Sequence, residues 1–91
     1  MAIQLHLPAV LSRLADGNRT LDLPGATVGE VVNEAATRYP ALASRLKDEQ
    51  GEPYAFVTFY LNDDDIRLRD GFRTSVQDGD ELTVVPAIAG G

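Results

Sequence analysis

The feature that most constrains the fold is one amphipathic helix pattern near the middle of the chain. Its apolar side chains follow helical spacing at Val28, Val31, Val32, Ala35, Ala36 and Tyr39. This spacing places a single apolar stripe along one side of a helix. Thr27 and Glu30 have the spacing of a capping box at the helix start, and Pro40 ends the pattern.

Strand patterns precede this helix. Residues 2–7 alternate apolar and polar side chains, and Pro8 ends the alternation. A turn signal, Asp-Gly-Asn, follows at residues 16–18, and the alternation resumes at residues 20–23. The sequence therefore predicts a leading hairpin over residues 2–23.

Further strand patterns follow the helix. Residues 56–61 are rich in β-branched and aromatic side chains, so we expect a central strand there. Residues 66–68 predict a brief strand, and residues 81–85 predict the last one. With one or two helical turns around Leu42 and Leu46, the order is β-β-α-β-β-β. This order predicts an α+β domain: a mixed sheet of four to five strands with one main helix packed on one face.

Composition excludes several classes of function. The 91 residues provide one domain, and the net charge of −6 comes without a basic cluster, so nucleic-acid binding is not expected. Cys is absent, which excludes disulfides and thiolate metal sites. No signal peptide is visible, and no apolar run approaches the ~18 residues of a membrane helix. We therefore expect a soluble, cytoplasmic protein that does not bind membranes.

No internal residue cluster predicts a catalytic or metal site. His6 is the only histidine and is expected to be a partly exposed strand residue. The acidic run at residues 63–65 lacks the spaced ligands of a calcium loop and is typical of a solvated turn. We therefore predict no bound metal.

The C-terminal segment is the remaining candidate for chemistry. Pro86 ends the last strand, and a short spacer leads to Gly90 and Gly91. Five extended residues reach about 17 Å, which is enough to thread a carboxylate into another protein's active site. Glycine suits a narrow channel because it has no side chain to clash there. We therefore expect a folded domain over residues 1–86 and a flexible tail over residues 87–91.

The last strand and tail resemble the ending of the ThiS/MoaD family of sulfur carriers. In that family an Asp-Gly-Asp turn leads through a strand to a proline and a terminal Gly-Gly, as residues 78–91 do here. The order of strands and helix is similar to the family's β-grasp (ubiquitin-like) fold, so the resemblance spans the chain. The ending, the turn at residues 62–64 and the length most resemble the CysO-type carriers of cysteine biosynthesis.

The resemblance implies a carrier rather than an enzyme. An E1-like enzyme would adenylate the Gly91 carboxylate with ATP, and a sulfur donor would displace AMP to leave a thiocarboxylate. Ile88, Ala89 and Gly90 would thread the tail into the partner. A pyridoxal-phosphate cysteine synthase would accept the sulfur, and a metalloprotease would release cysteine. The carrier would bind no cofactor itself, and ATP, pyridoxal phosphate and zinc would belong to its partners.

Docking on these partners requires an exposed surface. The strand at residues 56–61 carries two alternating sets of side chains, both with apolar members. We predict that Phe56 and Tyr60, with Val85, contribute to docking. The alternative is that this set is buried under the segment that contains Leu42 and Leu46.

Three other functions fit the same sequence. A protein modifier would form isopeptide bonds through Gly91. The small subunit of molybdopterin synthase would use the same thiocarboxylate but stay docked on a large subunit, although many such subunits have two prolines before the tail where this chain has only Pro86. A plain interaction domain would not use its tail.

Overall fold

The computed structural model describes residues 2–86, in which five strands form one mixed sheet of order β2-β1-β5-β3-β4. β1 pairs antiparallel with β2 and parallel with β5, and β3 is antiparallel to both β5 and β4. The α+β class is therefore confirmed. The strands are Ala2–His6 (β1), Thr20–Pro24 (β2), Val57–Leu61 (β3), Asp64–Asp65 (β4) and Glu81–Pro86 (β5).

The predicted main helix is α2, Val28–Arg38, and it is accompanied by two single-turn helices, α1 (Ala9–Ser12) and α3 (Ala43–Leu46). The Thr27 hydroxyl caps α2 by accepting the N–H of Glu30 at 3.2 Å. The Glu30 carboxylate accepts the N–H of Ala26 at 2.9 Å, so the return bond reaches one residue beyond the cap. The helix begins and ends where the sequence predicts.

The apolar stripe of α2 packs on one face of the sheet. Alternate strand residues point to opposite faces, so each strand contributes only every second side chain to this core. The buried sheet residues are Ile3, Leu5, Leu21, Leu23, Phe59, Leu61, Leu82 and Val84. The intervening residues form the opposite face, hereafter the open face: Gln4, His6, Thr20, Asp22, Thr58, Tyr60, Glu81, Thr83 and Val85. Each of these is exposed or half-buried.

The prediction that residues 56–61 form the central strand is wrong. The central strand is β5, between β1 and β3, and β3 has only the two-residue β4 on its other side. The parallel pairing of β1 with β5 inserts the last strand into the middle of the sheet. No local pattern of side chains contains that information, because the pairing joins residues more than 70 positions apart.

Two connections also differ from prediction. Residues 66–68 form a 3₁₀ turn instead of a strand, and Asp65 caps this turn by accepting the N–H of Arg67 at 2.9 Å. The predicted hairpin pairs as expected, but α1 and a 3₁₀ turn lie between its strands and bury Leu11 and Ala15. Apolar side chains inside the connection explain the extra structure, because folding it over the sheet removes them from water.

The longest helix in residues 2–86 has 11 residues, and no helix there combines the length and apolar character required to cross a bilayer.

Candidate functional site

β5 is followed directly by residues 87–91, the predicted tail that ends in the Gly91 carboxylate. Its last residue, Pro86, lies opposite Val57 in the ladder with β3. The predicted tail therefore continues from the central strand, at the end of the sheet where β3 begins. The tail residues themselves lie outside the described residues: Ile88, Ala89, Gly90 and Gly91.

The three predicted docking residues lie beside this exit point. Phe56, one residue before β3, is 61% exposed, and Val85 is 39% exposed. Val85 lies opposite Thr58, between the positions of Phe56 and Tyr60 along β3. We call Phe56, Tyr60 and Val85 the apolar patch. Tyr60 and Val85 lie on the open face, whereas Phe56 lies in the turn before β3. The role of the three residues in docking stays a prediction.

Burial under the segment of Leu42 and Leu46 is excluded. Both leucines are fully buried in the same core as Phe59 and Leu61, on the helix side of the sheet. Because neighbouring residues of β3 point in opposite directions, Tyr60 faces away from this core. The Phe56 ring packs edge-to-face on Tyr54, with 5.4 Å between ring centroids, so a second aromatic ring orients it.

The other half of the open face is polar and centres on His6. Its Nε2 lies 2.8 Å from Glu81 Oε1, and its Nδ1 lies 3.2 Å from Thr20 Oγ1. A carboxylate only accepts hydrogen bonds, so Nε2 carries the proton and donates to Glu81. In the neutral imidazole, Nδ1 then accepts from the Thr20 hydroxyl.

His6 is half-buried on β1, so its prediction as a partly exposed strand residue is confirmed. Its hydrogen bonds were missed, because Glu81 lies 75 positions away and reaches it only through the pairing of β1 with β5. Thr20 reaches it directly across β2. The Thr20 contact alone could have been expected from the hairpin register.

The acidic run at residues 63–65 includes β4, and the two β4 residues are paired with arginines. Asp65 accepts hydrogen bonds from Arg67 Nε and, at 2.6 Å, from Arg67 Nη2. Asp64 accepts one from Arg69 Nη1 at 2.9 Å. The hydrogen bonds from Arg67 lower the pKa of Asp65, and the same contact raises the pKa of Arg67. The turn predicted for this run is therefore confined to its first residue, because Asp64 and Asp65 pair with β3 as β4.

Within residues 2–86, no three His, Cys, Asp or Glu side chains come together to form a metal site. Two grooves lie on the described surface, and the one beside α2 has about 520 Å³ and is wide open to solvent. The one beside the outer edge of β3 has about 170 Å³ and is lined by Tyr54, Val57, Phe59 and Arg67 among others. The candidate site is therefore the open face together with the tail that leaves it.

The model of the ThiS family matches residues 5–91. The chain belongs to the ThiS family. The match begins within β1, includes the other four strands and continues through Gly91. It agrees with the resemblance on which the β-grasp prediction was based.

Relatives and solved structures show which members of the family this chain resembles. The sulfur carrier protein CysO of Mycobacterium tuberculosis is 33% identical, with both chains covered completely. A crystal structure of the BexX/CysO complex of Amycolatopsis orientalis contains a chain that is 34% identical, with a TM-score of 0.91 over 99% of this chain and 100% of that one. The fold is therefore the ubiquitin-like β-grasp of the CysO proteins.

A third relative carries a different name. Small archaeal modifier protein 3 of Haloferax volcanii is 39% identical over 66 residues, which cover 72% of this chain and 71% of that protein. The CysO relative is named a sulfur carrier and the archaeal relative a modifier, and neither name is that of an enzyme. The full-length similarity to CysO supports a sulfur carrier of the CysO type.

Proposed function

We propose that this chain is a sulfur carrier whose Gly91 carboxylate is converted to a thiocarboxylate that supplies sulfur for biosynthesis, in the first instance of cysteine. The observation that carries the proposal is the identity of 33% to the CysO sulfur carriers over the full length of both chains. The match to the ThiS family, which continues through Gly91, adds support.

Activation is needed because a carboxylate is a poor electrophile. An α-carboxyl group has a pKa of about 3.3–3.7, so it is ionised at neutral pH. Its attack on ATP forms an acyl adenylate and releases pyrophosphate. Hydrosulfide from a sulfur donor then attacks the acyl carbon, the bond to AMP breaks, and AMP leaves with one oxygen of the Gly91 carboxylate, so that a thiocarboxylate remains.

The partners of this cycle hold the cofactors. We propose an E1-like adenylating enzyme that uses ATP, a pyridoxal-phosphate cysteine synthase that accepts the sulfur, and a metalloprotease with zinc that releases the product. Because these steps use ATP and reduced sulfur, we place the carrier in the cytoplasm. The Amycolatopsis structure supports the idea of a partner, since its CysO is in a complex with BexX.

Affinity for these partners comes from the folded body, because a short tail with two glycines has little area to bury. We propose that the apolar patch supplies it, since a partner that receives the tail also meets the surface beside Pro86. Tyr60→Asp should reduce both activation and sulfur transfer. Asn33→Asp is the matched control, because it adds the same charge on α2, away from the open face. Equal activity of the two variants would remove the apolar patch from the proposal.

The decisive experiment is intact-mass analysis of the protein purified from its own cells. A thiocarboxylate appears as a species heavier by the difference between a sulfur atom and an oxygen atom. Deletion of Gly90 and Gly91 should abolish this species and sulfur delivery while the fold remains. Sulfur delivery by the shortened chain would refute the proposal.

The similarity to small archaeal modifier protein 3 favours a second candidate, a protein modifier. Such a modifier would pass the activated Gly91 acyl group to lysines of other proteins. Cell extracts would then contain a ladder of adducts linked through Gly91, whereas a carrier would contain only the thiocarboxylate. The same mass analysis therefore separates the two functions.

A further inference from the structure

One edge of the sheet is a strand with an unpaired outer side. β2 pairs with β1 on its inner side, and no strand among residues 2–86 pairs with its outer side. The opposite edge of the sheet is the two-residue β4, which offers much less backbone. A five-residue edge strand presents a row of backbone donors and acceptors, and an extended chain can add to the sheet there.

The register shows which backbone groups of β2 point outward. The Leu7 N–H donates to the Arg19 carbonyl at 2.8 Å, one residue beyond the paired strands. Hydrogen-bonded and non-hydrogen-bonded pairs alternate in an antiparallel ladder, so Leu21 and Leu23 bond to β1 and the residues between them do not. The outward backbone groups are therefore those of Thr20, Asp22 and Pro24.

A groove of about 520 Å³ lies beside this edge. It is lined by residues 24–26 and by four polar side chains of α2: Glu30, Asn33, Glu34 and Thr37. Successive side chains of a strand point to opposite faces of the sheet. An extended chain paired with β2 would therefore place every second side chain on the α2 side, next to this groove.

The charge of the groove favours a basic side chain. Its lining includes the carboxylates of Glu30 and Glu34 and no lysine or arginine. One oxygen of Glu30 accepts the Ala26 N–H at 2.9 Å, and one oxygen of Glu34 accepts from Arg38 Nε at 3.4 Å. The second oxygen of each carboxylate has no donor within residues 2–86, so each can accept a hydrogen bond from an incoming cation.

Arg38, at the rim of the groove, already makes the kind of contact that an incoming basic side chain would make. Its Nη1 donates to the outward carbonyl of Asp22 at 3.3 Å while its Nε donates to Glu34. A guanidinium therefore fits between the strand edge and α2. Both bonds are longer than the ~2.8 Å of a strong charge-assisted hydrogen bond, and the side chain is exposed, so a bound segment can displace it.

We propose that the outer edge of β2 and this groove bind an extended segment of another protein that carries a lysine or arginine. The segment pairs with β2 as a sixth strand, and its basic side chain contacts Glu30 and Glu34. A second copy of this chain is a poorer occupant, because its own acidic groove brings like charges together. The site is separated from the apolar patch by β1 and β5 and does not depend on chemistry at Gly91.

The first test varies charge in a peptide, which leaves the fold of the protein untouched. The probe is an acetylated and amidated peptide, Thr-Val-Thr-Lys-Thr-Val-Thr, titrated to millimolar concentration into the isotope-labelled full chain. We expect shifts of the amide resonances of residues 20–24 and 30–37. Replacing the peptide's lysine with glutamate should weaken binding roughly tenfold, because a charge-assisted bond is lost and a repulsion is gained. Absent shifts, or equal affinity of the two peptides, would overturn the proposal.

The second test separates strand addition from contact through side chains alone. Two further peptides carry N-methyl groups, one at the odd and one at the even positions, so that only one of them loses the donors that face β2. That peptide should bind roughly tenfold more weakly than the other. Equal effects of the two methylation patterns would show that no strand is added.

The third test places the basic side chain in the groove. Glu34→Gln should weaken binding of the lysine peptide about fivefold. Asp63→Asn is the matched control, because it removes one negative charge beside β4, at the far edge of the sheet. Equal affinities of the two variants would refute the role of the groove. The chain without peptide should sediment as a monomer, and a dimer with the same shifted amides would overturn the choice of partner.

Discussion

The two faces of the sheet are made by alternate residues of the same strands, yet they carry opposite chemistry. On the covered face, Phe59 is 1% exposed and packs edge-to-face on Phe72 at 5.4 Å. On the open face its neighbour Tyr60 is half-buried, and beyond β5 the polar His6 has both ring nitrogens hydrogen-bonded. The covered face supplies apolar burial, and the open face supplies the surface that a partner can contact.

This difference separates the core from the accessible surface along a single strand. A side chain of β3 points into the core or to the open face according to whether its position is odd or even. Changes at neighbouring positions should therefore have effects of different kinds.

The largest expected effect is on the covered face. Phe59→Ala leaves a cavity in the core beside Phe72 and should lower the free energy of unfolding by about 3–5 kcal/mol. Tyr60→Ala should lower it by less than about 1 kcal/mol, because only cross-strand contacts on an accessible face are lost. Urea denaturation of the two variants measures this contrast. Comparable losses would show that the open face also belongs to the core.

An intermediate effect is expected at the start of α2, which covers the core. Thr27→Ala removes the acceptor for the Glu30 N–H and should cost about 1 kcal/mol. Thr27→Ser keeps a hydroxyl and should retain most of that stability. Thermal unfolding followed by circular dichroism would detect the difference, and an equally stable Thr27→Ala would show that the cap is dispensable.

The smallest effect is expected at the rim of the open face, where Arg67 lowers the pKa of Asp65. A carboxylate whose pKa is lowered in the folded state stabilises the fold at pH values above its ordinary pKa of about 3.9. This contribution disappears as the pH falls through the lower folded-state pKa. Arg67→Gln should therefore be less stable than wild type at pH ~7 and equally stable at low pH. A difference that does not change with pH would contradict the assignment.

Much of the fold could be predicted from local patterns. The bounds of α2, its cap at Thr27, and the strands at both ends of the chain follow from side-chain periodicity and turn residues. Gly79, with φ of 89°, occupies the predicted Asp-Gly-Asp turn, where a positive φ favours glycine. The apolar patch could be proposed from the sequence. Whether it is exposed or buried under the segment of Leu42 and Leu46 could not be predicted.

The sequence by itself determined the helix, the alternation within strands and the absence of cysteine chemistry, because each depends only on residue type and spacing. Only the tertiary structure decided that β5 is central, that Tyr60 and Val85 share the open face, and that Glu81 meets His6. These outcomes depend on a parallel pairing between the first and last strands. Such a pairing is selected by the packing of the whole chain, and neither strand's own residues specify its partner.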